Sequence, residues 1–340
     1  MTIVATIAPS VRIAAPARLR AKNSSSGAAP IAIKIAMTTS QAISARRVSF
    51  TGTVVRLDTA PPSGVRGPPV RKRGRVPTEL GPHHRRIEAV RDLRAPRGRR
   101  AAGRFAAEGP TLLAEAERSG VRPLEIYATA AALPGLDAGR WEAGGVPVYV
   151  VPDRAFARLS DLETPSGLLG VFELPGHDAT HVLDQPGLVL LLAGVGDPGN
   201  AGTLVRSAEA FGAAGVLFGR GGADPFAPKV VRAAMGTTFR LPLAVVGPDE
   251  VVAAAREAGR PIVAADVDGE PLDGAGIEPN AVIAIGNERR GVRDWLPAWD
   301  RAVRIPQRSA VESLNAAVAG SIVLYVASRC QEPCQVAEKR

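Results

Sequence analysis

The sequence predicts an α/β protein: a mostly parallel sheet in the C-terminal half, a smaller α/β unit before it, and a long basic segment at the start. Three observations carry this. Between 187 and 330 short apolar runs alternate with helical patterns, and such alternation favours a parallel sheet covered on both faces. Between 83 and 177 the alternation continues with shorter strands. Residues 1–78, in contrast, hold 13 Lys and Arg against a single acid, Asp58. A chain of 340 residues is long enough for two ordinary domains.

The formal charge of +9 therefore resolves into +12 over residues 1–78 and −3 over the rest. Residues 1–50 contain no Asp or Glu. That composition fits an organelle transit peptide, upstream DNA read from a misplaced start codon, or a disordered basic arm. The stretch "APPSGVRGPPVRKRGRVPT" (60–78) holds five prolines, and residues 1–78 are excluded from the expected fold. Within the body, residues 83–104 carry eight arginines against Glu88 and Asp92. This is either a patch able to hold phosphates or a solvated helix face. Cys330 and Cys334 are the only cysteines, too few for a disulfide framework or a structural zinc site. A reducing, cytoplasmic compartment is expected, with organelle targeting as the alternative. No apolar run reaches the roughly 18 residues of a membrane span. His177 and His181 stand four apart in a Pro/Gly-bounded stretch, and no metal is expected there.

In chain order, "HHRRIEAVRDLRAPRGRR" reads as a basic helix followed by a loop, with a short strand around Arg104–Ala107. A helix starts at Pro110, which suits a first turn, and Gly120 suits its end. "PLEIYAT", "VPVYVVP" and "SGLLGVFELP" read as strands, with a helix after Asp153, and "PGHDATHVLDQPG" as the linker to the larger unit. There follow strand 188–193, helix 200–212, strand 215–218, helix 225–235, strand 241–245, helix 248–258, strands 261–265 and 281–285, and a short strand at 304. A last helix over 311–329, rich in Ala and Val on all sides, is expected to be buried, and 331–340 is a tail.

The turn after the first of these strands carries Gly194, Gly196 and Gly199, spaced as a dinucleotide fingerprint. Two features oppose that reading. Asp197 would repel a pyrophosphate and Pro198 offers no N–H. The next strand ends with Arg220 and only a late Asp224, where a ribose-binding acid is wanted.

Two later segments complete a different pattern. Asn200, Gly202 and Arg206 form N-x-G-x-x-x-R; Gly286, Asn287, Glu288 and Gly291 form G-N-E-x-x-G after an apolar strand; Ile305-Pro306 precede Ser313-Leu314-Asn315 and Ala319. Together they resemble the three motifs of the SpoU/TrmH family of RNA ribose 2′-O-methyltransferases, in the SPOUT superfamily, over residues 187–328. Upstream, "RFAAEGPTLLAEA" and "TPSGLLGVF" resemble the family's substrate-binding domain, which has a ribosomal-protein-like RNA-binding fold.

The resemblance implies a parallel sheet whose C-terminal segment threads a deep trefoil knot, a rarity that no spacing would have predicted. It implies S-adenosylmethionine held by loops 264–270, 286–291 and 305–315, with Gly286, Ile305, Leu314, Ala265, Asn287 and Gly291 as contacts. Arg206 would stand at the ribose hydroxyl, with Asn200, Glu288, Ser313 and Asn315 around it. A homodimer is implied, and RNA gripped by Arg85, Arg86, Arg91, Arg97 and Arg104, with Arg94, Arg99 and Arg100 nearby. Ribosomal RNA of the large subunit is the expected substrate, with transfer RNA as the alternative and a resistance enzyme as a narrower version. No metal and no membrane are expected.

The chemistry of the residue types sets limits on these roles. A guanidinium holds its proton to above about pH 12, so Arg206 is better suited to orienting the hydroxyl and stabilising negative charge than to acting as a base. Asn200, Ser313 and Asn315 could each cap a helix. A loop carboxylate such as Glu288 is costly to bury unless paired. Glycine at 286 either lets backbone approach a ligand or closes a tight turn. The rivals are a non-catalytic RNA-binding protein of the same fold and a nicotinamide oxidoreductase.

Overall fold

The computed structural model describes residues 77–273, 275–287, 289–308 and 314–329. The first part of the chain builds β1 (Thr78–Glu79), α1 (Arg85–Asp92), α2 (Pro96–Ala102), β2 (Arg104–Glu108), α3 (Pro110–Arg118), β3 (Glu125–Ala128), α4 (Ala138–Ala143), β4 (Val148–Val150), α5 (Asp153–Leu159) and β5 (Leu168–Glu173). The strands form one sheet in the order β1-β4-β3-β5-β2. The first three run parallel, while β5 is antiparallel to both β3 and β2. Three details differ from expectation. The sheet takes in Thr78, the last residue of the excluded segment, and Glu79 after it. The loop after the first helix holds α2, which has Pro96 in its first turn and ends at Gly103. The short helix α4 was unforeseen, although Asp137 caps it by accepting from Arg140 N at 3.0 Å. At six or seven residues, neither missed helix is long enough to display a hydrophobic period.

The expected linker also folds. Asp178 caps α6 (Ala179–Leu183), accepting from His181 N at 2.8 Å, and Val182 and Leu183 are buried. Beyond it come β6 (Val189–Ala193), α7 (Pro198–Ala210), β7 (Gly215–Gly219), α8 (Pro228–Ala233), β8 (Leu243–Val246), α9 (Pro248–Glu257), β9 (Ile262–Pro271), β10 (Val282–Gly286), β11 (Arg301–Arg304) and α10 (Ala316–Arg329). These six strands form a parallel sheet in the order β11-β9-β10-β6-β7-β8. Its centre is apolar at every position because both faces are covered. Leu188, Leu190 and Leu192 point into the cluster under α7, α8 and α10, and Val189, Leu191 and Ala193 into the cluster under α6 and α9.

Two elements depart from the expected bounds. β9 runs to Pro271 because β11 pairs along it, with an irregularity between Ala302 and Val303. There Gly269 lies so close that an added Cβ would sit 2.5 Å from Val303 N and 2.6 Å from Ala302 C. The last helix starts at Ala316, not 311, and residues 311–313 lie outside the described residues. It is also not buried all round: Val318 and Tyr325 are exposed by 49% and 47%.

One apolar cluster joins the two sheets. Phe105 of β2 packs on Phe226 at 5.0 Å between centroids, and Phe172 of β5 on Phe239 at 4.8 Å. Ion pairs cross the same boundary: Arg232 with Asp161 (Nη2–Oδ2 2.8 Å), Arg240 with Glu115 (2.8 Å) and Arg99 with Asp224 (2.9 Å).

Candidate active site

The chain leaves β6 toward β7 and β8, then returns across the sheet so that β10 flanks β6 on its other side. Strand order therefore reverses between β6 and β10, and the crevice outside their carboxyl ends is where a parallel sheet of this kind takes a ligand. The side chain of Asn287, just past β10, closes this point by donating from Nδ2 to Gly194 O at 3.2 Å, just past β6. Its Oδ1 accepts from Arg289 N at 3.0 Å, and its carbonyl accepts from Gly291 N at 2.9 Å. The segment after β10 thus folds into a tight turn, with Gly291 at φ 67°. Here the reason for Gly286 is decided. A Cβ at 286 would collide with the backbone of Gly291 and Val292, so the close approach is to the chain's own turn.

At α7, Asp197 is the cap: Oδ1 accepts from Asn200 N at 2.7 Å, with Pro198 in the first turn. Asn200 is therefore not the cap that sequence chemistry allowed. Its Oδ1 instead accepts from Asn315 Nδ2 at 3.0 Å. Asn315 does cap its own helix, with Oδ1 accepting from Ala317 N at 2.9 Å and Val318 N at 3.3 Å. One asparagine so fixes the start of α10 and ties it to the first turn of α7. The same geometry removes the dinucleotide reading, because the positive end of α7 already holds the chain's own carboxylate. Arg206, farther along α7, is exposed and has no ion pair or side-chain hydrogen bond among the described residues. An open groove of about 510 Å³ runs between α7 and α10, lined by Asn200, Thr203, Asn315, Val318 and Tyr325 among others.

Of the other expected contacts, Ala265 and Ile305 are half-buried against the same apolar cluster as Ile285, the residue before Gly286. Leu314 is half-buried beside Asn315. Glu288 and Ser313 lie outside the described residues, as do Cys330 and Cys334. Sequence reasoning missed a clasp over this edge. Arg293 donates from Nε to Asp266 Oδ2 and from Nη2 to Asp266 Oδ1, both at 2.9 Å, and reaches Asp268 at 2.8 Å. Those hydrogen bonds hold Asp266 below the usual carboxylate range despite burial. Residues 264–270, expected as a loop, lie within β9, and the clasp joins that strand to the segment after β10. Its signal was an Asp-x-Asp at the end of an apolar run, too common to single out.

The arginines expected to grip RNA fall into distinct groups. Arg86 and Arg104 both pair with the buried Glu125, at 2.9 and 3.3 Å. Arg91 pairs with Glu88 at 2.8 Å. Arg85, Arg97 and Arg100 are exposed without an ion pair among the described residues. Arg99 corrects the picture of a solvent-facing patch: it is 2% exposed and donates to Leu93 O and Arg94 O at 2.8 and 2.9 Å. His177 and His181 stack at 4.3 Å, and burial with the neighbouring His181 lowers the His177 pKa. Among the described residues no group of three His, Cys, Asp or Glu side chains could hold a metal ion, and no helix is long and apolar enough to cross a membrane.

Comparison with known proteins agrees with this geometry. Residues 187–325 match the SpoU rRNA Methylase family, and residues 84–170 the MRM3-like substrate binding domain. The 23S rRNA (uridine(2479)-2′-O)-methyltransferase of Streptomyces viridochromogenes is 34% identical over 192 residues, 54% of this chain and 67% of that protein. The 23S rRNA (guanosine(2553)-2′-O)-methyltransferase RlmP of Bacillus subtilis is 31% identical over 53% of this chain and 72% of that protein. Among solved structures, the SpoU methyltransferase AviRb of Streptomyces viridochromogenes in complex with AdoMet superposes with a TM-score of 0.63 at 29% identity, covering 72% of this chain and 97% of that one. The AdoMet-bound rRNA methyltransferase of Sinorhizobium meliloti gives 0.64 at 27%, covering 74% and 97%.

Proposed function

Since the chain belongs to the SpoU rRNA methylase family, we propose that it transfers a methyl group from S-adenosylmethionine to a ribose 2′-hydroxyl of large-subunit ribosomal RNA. The observation that carries this reading is the Asn315–Asn200 hydrogen bond, which brings the third motif onto the first. The Asn287–Gly194 bond sets the second motif beside the same crevice. Relatives named for 23S ribosomal RNA and the match of residues 84–170 to a substrate-binding domain support the choice of RNA.

The half-buried Ala265 and Ile305 beside the Gly286 turn fit an apolar face for an adenosine, with strand-end backbone groups to read its edge. When bound, the cofactor supplies an activated methyl group. Transfer needs in-line geometry and a polarised hydroxyl. Arg206 is the residue assigned to that hydroxyl and to an adjoining phosphate, orienting the one and neutralising charge that develops there. Asn200 and Asn315 position the helix that bears it. Glu288 and Ser313 belong to the proposal through the family motifs. So do the trefoil knot, the division at 83–177 and 187–330, and a cytoplasmic location. A second copy of the chain is proposed to cover the α7–α10 groove, where Val318 and Tyr325 are exposed.

The test is methyl transfer from labelled S-adenosylmethionine to unmodified large-subunit and transfer RNA. Label should enter the large-subunit RNA and resist alkaline cleavage beside the modified ribose. Arg206→Ala should lower the rate by about 100-fold or more, in the range seen when a charge-stabilising donor is removed, and leave cofactor affinity intact. Transfer to a base, or equal rates with and without Arg206, would overturn the assignment.

A further inference from the structure

Helix α8 ends on a residue whose type does not suit its backbone. Ala234 closes the helix, and Met235 after it, with N donating to Arg232 O at 3.1 Å, takes φ 50°. Among the described residues it is the only one other than glycine with a positive φ. A left-handed cap at this position is ordinarily glycine or asparagine, since a Cβ there crowds the backbone. Glycine at 235 would therefore close α8 with less strain. Met235 is also 45% exposed, while Ala234, Gly236 and Thr237 beside it are buried. An apolar side chain is thus held at the surface by a backbone that disfavours it. Strain of this kind clusters at functional sites.

The course of the chain past α7 gives Met235 a use. Gly202 packs on the end of α8 so closely that an added Cβ would lie 2.4 Å from Ala233 Cβ and 3.1 Å from Ala234 N. Farther along α7, Glu209 accepts from Thr237 Oγ1 at 2.5 Å and from Arg240 Nη2 at 2.9 Å. Residues 233–237 therefore run beside α7 from Gly202 to Glu209. Arg206 lies one turn beyond Gly202 and one turn short of Glu209, on the same stripe of the helix. Spacing along both segments sets Met235 beside the part of α7 that bears Arg206, and both residues are exposed. On the other side, a Cβ at Gly236 would meet Glu115 Cβ of α3 at 2.5 Å, so this loop is wedged between α7 and α3.

We propose that Met235 is the surface on which the base of the target nucleotide rests while Arg206 holds its ribose hydroxyl. This rests on the reading of the chain as an RNA ribose methyltransferase. The base is bonded to the ribose carbon next to the one that bears the 2′-hydroxyl, so a side chain flanking Arg206 is within its reach. RNA is read chiefly at unstacked bases, and a base that has left its neighbours needs another apolar face. A thioether is flexible, polarisable and favourable against aromatic rings. Met235 is then a specificity-determining residue for a part of the nucleotide that Arg206 does not read.

The experiment maps the nucleotide that wild type methylates in an unmodified large-subunit ribosomal RNA transcript. The transcript is then rebuilt by ligation with that nucleotide intact or lacking its base. Methyl transfer at limiting RNA is measured for wild type, Met235→Gly and Met235→Leu, with S-adenosylmethionine affinity and Tm alongside. Met235→Gly relieves the strained cap, so its Tm should equal or exceed that of wild type, with cofactor affinity unchanged. On the intact transcript its rate should fall by about 5-fold or more, the low end of what a base–side-chain stack contributes. On the abasic transcript it should match wild type. Met235→Leu keeps an apolar side chain of similar size and should retain most of the wild-type rate. A wild-type rate in Met235→Gly on the intact transcript, or an equal loss on both transcripts, would overturn the base contact. A lower Tm in Met235→Gly would make Met235 a packing residue and overturn it as well. A wild-type protein that binds S-adenosylmethionine and the transcript but transfers no methyl group would overturn the parent reading.

Discussion

Gly269→Ala tests whether the long pairing of β9 with β11 shapes the cofactor edge. The added Cβ would stand 2.5 Å from Val303 N, against an ordinary contact of 3.4 Å or more. The two strands would have to part by roughly 0.9 Å, and the atoms in the way are backbone, so no rotamer can yield. Overpacking of this kind costs about 1–3 kcal/mol. In a body of this size each kcal/mol lowers Tm by about 2–4 °C, which sums to roughly 2–12 °C. The displaced segment contains Ala265 and the Asp266 clasp, and a misplacement near 1 Å can lower a rate by about 100-fold. Calorimetry and single-turnover methyl transfer read the two effects. Gly81→Ala is the control, since nothing lies within 4 Å of the Cβ it would add. A Gly269→Ala protein with wild-type Tm and rate would refute the reasoning.

Arg99→Met should cost about 1–3 kcal/mol, because the partly exposed Asp224 loses its ion pair and Leu93 O and Arg94 O lose a buried donor, and Arg99→Met/Asp224→Leu should recover only the ion-pair part in denaturant titrations. If the single and double variants unfold alike, the ion pair is not the reason. Arg293→Gln should loosen the part of β9 that bears Asp266 and weaken S-adenosylmethionine binding in calorimetry, while RNA binding stays the same. Acid should loosen the Asp161–Arg232 pair across the boundary between the sheets and the Glu209–Arg240 pair beside it, within the larger unit. Burial works to raise Asp161 but the hydrogen bonds and charge of Arg232 prevail, and the hydrogen bonds of Arg240 hold Glu209 low. Both carboxylates thus sit below their ordinary values of 3.8 and 4.5, so their contribution is full above those values and is lost as pH falls through the lower folded ones. Thermal scans from about pH 6 to 3 should show this loss, flattened in Arg232→Met; a slope untouched by that change would exclude the pair.

Much of the larger sheet was legible because its strands are fully apolar and its helices long enough to show a period. The three motifs were legible as residue types at fixed spacings. What eluded sequence reasoning was short or long-range. α2 and α6 are too brief for periodicity. Asn200 is not the cap its position allowed, because Asp197, three residues ahead of the expected helix start, takes it. Gly286 could not be explained from its neighbours in sequence alone, since its obstacle is a turn that exists only once Asn287 has bonded across to Gly194. Arg99 looked like one of eight equivalent cations until packing turned it inward.

Asn315 has a consequence for timing. It lies 115 residues after Asn200, the group it bonds. A chain emerging from the ribosome carries Arg206 and all of α7 well before this partner is made. At about 5–20 residues per second the interval is roughly 6–23 s. During that interval the first turn of α7 lacks its bond to the third motif. On the proposed reading, the transfer site is complete only once this last helix has been made.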